Sequence, residues 1–155
     1  MKARTATLTL TALCFLAAQI AFAQSPFMGT WKLNEAKSNL PPGTPRSTTV
    51  TYEAAGDNVK VTVDGTDSAG NPVHSEWTGK FDGHEYPVTG SPIADERSYR
   101  RIGTHTLSFT EAKDGKITRT GRVDVSSDGK SRTLTTTVTD SQGQKVHIMA
   151  LYDKQ

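Results

Sequence analysis

Arginine within a strand-rich chain is the residue type here best suited to chemistry, because a guanidinium shielded from water can hold a carboxylate through two parallel N–H···O bonds. Two candidates stand out. Arg119 shares a parity with Ile117, Gly121, Val123 and Val125, so a regular strand would turn it inward. A bulge at Gly121 would flip that parity and send Arg119 to solvent, and a glycine inside a strand often marks such a bulge, so the outward reading is preferred. Arg100, on the parity of Ile102, has the same ambiguity. Trp77, Tyr86 and Tyr99 offer apolar ring faces with polar tips that could line a pocket, although aromatic side chains in a barrel more often form simple core.

Other chemistries find little support. His74, His84, His105 and His147 fall on different strand-like runs, and none has a metal-ligand partner at a diagnostic spacing, so no metal is expected. His74 and Glu76 share the polar face of one run, which reads as a solvated surface. There is no Gly-x-Ser-x-Gly elbow, no phosphate-cradling glycine loop and no cysteine nucleophile in the exported part. Catalytic residues and cofactors are therefore not assigned, and a small hydrolase or isomerase is the last of three functional readings.

Lys2 and Arg4 precede an apolar run from Leu8 to Phe22 that ends in Ala21-Phe22-Ala23, the layout of a secretory signal peptide cleaved before Gln24. The run is too short for the ~20 residues of a spanning helix. The expected organisation is a signal at 1–23 and one domain at 24–155, destined for the periplasm or the extracellular space. Cys14, the only cysteine, lies in the signal, so no disulfide can staple the domain. Of the 18 Lys and Arg, two are Lys2 and Arg4, and the 16 that remain balance the 16 Asp and Glu. Such neutrality argues against nucleic acid and against an anionic membrane surface as partners. A monomer without a membrane span is expected.

The elements that must position these residues are strands. Trp31, in the first of them, is expected to be a buried plug near the closed end. After Phe27 to Leu33, a connection containing Pro41, Pro42, Gly43 and Pro45 leaves no room for a long helix. Alternating runs follow at 46–54, 59–63, 73–81, 84–88, 97–102, 104–110, 116–125, 131–140 and 145–152. Turns are read at Gly56-Asp57-Asn58, Asp82-Gly83, Gly103, Asp114-Gly115, Asp128-Gly129 and Ser141 to Gln144. Asp82-Gly83 carries the strongest hairpin signal, as a type I′ turn with both central residues at positive φ. The pattern predicts an all-β fold, an antiparallel up-and-down meander of 8–10 strands, and closure into a barrel is preferred over a sandwich because it removes both edges.

Gly29-Thr30-Trp31-Lys32-Leu33 opening such a meander, with Leu151-Tyr152-Asp153-Lys154 ending it, resembles the calycin superfamily, which holds the lipocalins and the intracellular fatty-acid-binding proteins. The Pro-rich loop stands where the fatty-acid-binding type has a helical pair, and Ala150 stands where that type has an arginine. The resemblance implies a lipocalin-like, calycin-like barrel that binds a small hydrophobic molecule in its interior. With few large apolar residues, the interior is expected to be incompletely filled, leaving a cavity lined by Val61, Trp77, Phe81 and Tyr99. Arg119 or Arg100 would meet the acidic head of a fatty-acid-like ligand. The second functional reading is a structural or interaction module of the cell envelope with a filled barrel and no ligand.

Overall fold

The computed structural model describes residues 25–139 and 144–155, so the expected signal at 1–23 and most of the turn at Ser141 to Gln144 lie outside it. Ten strands run in order: β1 Gly29–Leu33, β2 Arg46–Ala55, β3 Asn58–Thr66, β4 Pro72–Gly79, β5 Asp82–Thr89, β6 Glu96–Gly103, β7 Thr106–Lys113, β8 Lys116–Val125, β9 Ser131–Thr139 and β10 Lys145–Lys154. Each pairs antiparallel with its sequence neighbour, and β1 pairs with β10 to close the barrel. Trp31 faces Lys154 across that seam and Val50 on the other side. The fold is all-β, an antiparallel up-and-down meander closed into a barrel, as the closure argument leads one to expect. Among the described residues the only helical piece is a 3-10 turn at Glu35–Lys37, which Asn34 caps through its side chain.

Alternation sets what faces inward. Val50 and Tyr52 on β2, Val59 and Val61 on β3, Ser75 and Trp77 on β4, Leu107 and Phe109 on β7, and Val123 and Val125 on β8 are all buried. Trp31 is fully buried and donates its indole N–H to the Phe27 carbonyl at 2.8 Å. That bond ties down the segment before β1, so Phe27 lies across one end of the barrel, 5.9 Å from the Phe81 ring. Arg101 sits over both rings, at 5.3 and 5.9 Å, and reaches Ser25. This is the closed end.

Two local expectations need correction. Asp82-Gly83 is not a type I′ turn, because only Gly83 has positive φ (87°). The Asp82 carboxylate instead accepts the His84 backbone N–H and the Tyr86 hydroxyl, which holds Asp82 in the ordinary region. Asp114-Gly115 takes the two positive φ values, 51° and 71°, that the type I′ turn needs. The bulge of β8 is also not at Gly121. The register shifts between Glu111 and Ala112, whose partners are Arg119 and Ile117, leaving Thr118 as the extra residue. The glycine has a packing reason: a Cβ on Gly121 would stand 2.6 Å from the Phe109 ring and 2.5 Å from the Thr135 carbonyl oxygen.

Candidate functional site

Because the bulge falls at Thr118, Arg119 keeps the parity of Gly121, Val123 and Val125 and points inward, while Ile117 is turned out and 68% exposed. The preferred outward reading of Arg119 is thus overturned. Its guanidinium nonetheless already has a carboxylate. Arg119 Nε donates to Glu111 Oε2 at 2.7 Å and Nη2 donates to Oε1 at 3.0 Å. From the other side Arg97 Nε donates to Oε1 at 2.8 Å, and Arg97 Nη2 lies 2.5 Å from the same oxygen. Arg97, Glu111 and Arg119 are register partners on β6, β7 and β8, so the three form one row across the inner wall.

Arg132 on β9 completes the cluster. It is buried, its guanidinium lies 4.4 Å from the Tyr152 ring centroid and 5.6 Å from that of Tyr52, and its Nε and Nη1 have no hydrogen-bond partner among the described residues. The interior therefore holds three guanidiniums, and Glu111 is the only buried carboxylate among the described residues. Burial alone would raise the Glu111 pKa, but the charges of Arg119 and Arg97 outweigh it and hold the carboxyl below its ordinary value. Burial pushes the Tyr52 and Tyr152 hydroxyls up, with Arg132 opposing in both cases. A carboxylate kept ionised, with both oxygens occupied, is a poor general base or acid near neutral pH. The arrangement suits binding an anion better than moving a proton.

Space adjoins this cluster in two chambers. An inner one of about 30 Å³ is walled by the four charged residues together with Tyr52 and Tyr99 among others. An outer one of about 200 Å³ opens at the end opposite Phe27, between the loops before β2, after β3 and before β6, with Pro45, Val63, Val73, Pro92 and Ile93 as its apolar wall. Ser47, Val63, Arg97 and Arg119 border both. Asp67, the acid on the outer wall, directs its oxygens to the Ala69 and Asn71 amides and to the Asn71 side chain.

The six residues singled out from sequence separate. Arg119 borders both chambers and Tyr99 borders the inner one. Val61, Trp77 and Phe81 line neither. They pack in an aromatic cluster toward the closed end, with Trp77 4.9 Å from Tyr99 at an edge-to-face angle and donating its N–H to the Arg97 carbonyl. Arg100 is exposed on the outer face over Gly83. Sequence reasoning missed Arg97, Glu111 and Arg132, although each alternates with an inward residue: Tyr99, Phe109 and Leu134. On the solvent-facing surface of the barrel His74 binds Asp64 at 2.6 Å and is 60% exposed, a solvated pair. No group of His, Cys, Asp and Glu suited to a metal occurs among the described residues.

No family model and no curated protein matches the chain. Solved structures similar to it include a redesigned β-barrel, mFAP1, bound to DFHBI, at 16% identity over 83% of this chain and 95% of that one, with a TM-score of 0.44. Lobster apocrustacyanin A1 is similar at 14% identity over 95% of this chain and 70% of that one, with a TM-score of 0.42. By its strand order the protein is a ten-stranded antiparallel meander closed into a barrel.

Proposed function

We propose that the protein is an exported, lipocalin-like binder of a small hydrophobic molecule, which it takes into the open half of the barrel. The carrying observation is the outer chamber of about 200 Å³ with its apolar wall, leading inward to the arginine cluster. An apolar concavity with a few convergent polar groups is the usual form of a small-molecule site. Export rests on the Lys2-to-Ala23 signal pattern. The test is titration of the purified protein with Nile red, a neutral dye whose emission reports an apolar site. Saturable emission, reduced by Val63→Asp in a variant of unchanged circular dichroism, supports the reading. Absence of saturable binding leaves the filled structural barrel, for which the packed aromatic end already speaks. Mass spectrometry of the exported form should find Gln24 at its N-terminus, and an intact Met1 would remove the export proposal.

A further inference from the structure

Resting on that reading, we infer that the natural ligand is a small monocarboxylate with an apolar body about the size of one aromatic ring, bound acid-first, and that Arg132 is its anchor. Three observations converge on this. Arg132 is a buried guanidinium whose Nε and Nη1 find no acceptor among the described residues. An unsatisfied buried donor is destabilising, and more so on a charged group. The faces of Tyr152 and Tyr52 attract the cation but leave those N–H groups unaccepted. Glu111 does not answer the need: its hydrogen bonds are to Arg97 and Arg119, and Arg132 Nε and Nη1 do not reach it. The Arg132 guanidinium is thus the point at which the interior can receive an anion.

Volume sets the size of the partner. The inner chamber of about 30 Å³ is on the scale of one or two waters, room for a carboxylate and not for a chain. The outer chamber of about 200 Å³ compares with cavities of ~150 Å³ that take up benzene. A ring or short branched chain fits there against Val63, Val73 and Ile93, whereas most of hexadecanoate would hang in water. Deeper penetration is blocked, because Trp77, Tyr99, Tyr52 and Phe81 are packed edge to face or stacked across the barrel.

The experiment is calorimetric titration of the purified protein with benzoate, with its neutral counterpart benzyl alcohol and with hexadecanoate, repeated on Arg132→Met. Wild type should bind benzoate, and benzyl alcohol about tenfold to a hundredfold more weakly, the scale of a charge-assisted hydrogen bond. Arg132→Met should retain Nile red binding and melt no lower than wild type, since it removes a buried unpaired charge, yet lose benzoate selectivity over benzyl alcohol. Equal binding of the acid and the alcohol, tighter binding of hexadecanoate, or benzoate affinity unchanged in Arg132→Met would overturn the inference. So would loss of the fold in that variant, which would assign Arg132 to the structure instead. Nile red that binds while benzoate does not sinks this inference alone. Failure of both sinks the proposed function with it.

Discussion

Glu111 is the residue on which the charged interior depends, because it is the counter-ion of two guanidiniums from neighbouring strands. Glu111→Ala would leave Arg97, Arg119 and Arg132 without a buried carboxylate, and breaking a buried pair in this way costs about 3–5 kcal/mol. The denaturation midpoint should fall accordingly, with Glu111→Gln intermediate. The pH dependence follows from the sign of the shift. Since the folded carboxyl titrates below its ordinary value of 4.5, its stabilisation is fully present above that value and is lost as pH falls through the folded pKa. The acid limb of the stability curve should therefore be shallower in Glu111→Gln, and an unchanged limb would show that Glu111 is not held ionised. Parity could have flagged Glu111 beside Phe109, and Arg97 beside Tyr99. What parity lacks is the partner. A lone inward charge reads as an error in the alternation until the register shows that Arg97, Glu111 and Arg119 stand in one row.

Strand β8 shows how an element can be read correctly in extent and wrongly in detail. Its range was legible as an alternating run ending at a turn, and so was the fact that it carries an irregularity. The general habit of glycine places the irregularity at Gly121, whereas that position is a seat for the Phe109 ring from the neighbouring strand. Which of glycine's two uses applies depends on a cross-strand neighbour that only pairing reveals. Gly121→Val should consequently be destabilising by about 1–3 kcal/mol through overpacking, read as a drop in melting temperature. Adding Phe109→Leu to it should restore part of the loss. A Gly121→Val protein as stable as wild type would mean that the ring is not seated there. Substitution of Thr118, the true bulge residue, by Ala should be the milder change, since its hydroxyl makes one part-buried bond to the Glu111 carbonyl.

For the molecule as a whole, the class of fold was the most legible property, because regular turn spacing and the penalty on open edges both lead to a closed meander. The distribution of interior volume was not. Scarce large apolar residues suggest a loosely filled barrel, but the rings gather toward one end, so that end is solid and the space lies at the other. Nothing in the order of the residues states how strand tilt sorts side chains along the axis. Trp31 belongs to the solid end, and Trp31→Ala should cost about 3–5 kcal/mol by cavity formation. Its fluorescence should resist quenching by iodide in the native state. Rapid quenching with an unmoved denaturation midpoint would remove it from the core.

The seam between β1 and β10 also bears on how the chain survives its own synthesis. Trp31 meets Lys154, and the Gln155 amide donates to the Thr30 carbonyl, so the two halves of the closure stand at opposite ends of the described chain. A nascent polypeptide lacking the last strand would present the free backbone edges of β1 and β9, each a template for joining another chain. Closure consequently waits for β10, and it is slow because its contacts span nearly the whole of the described residues.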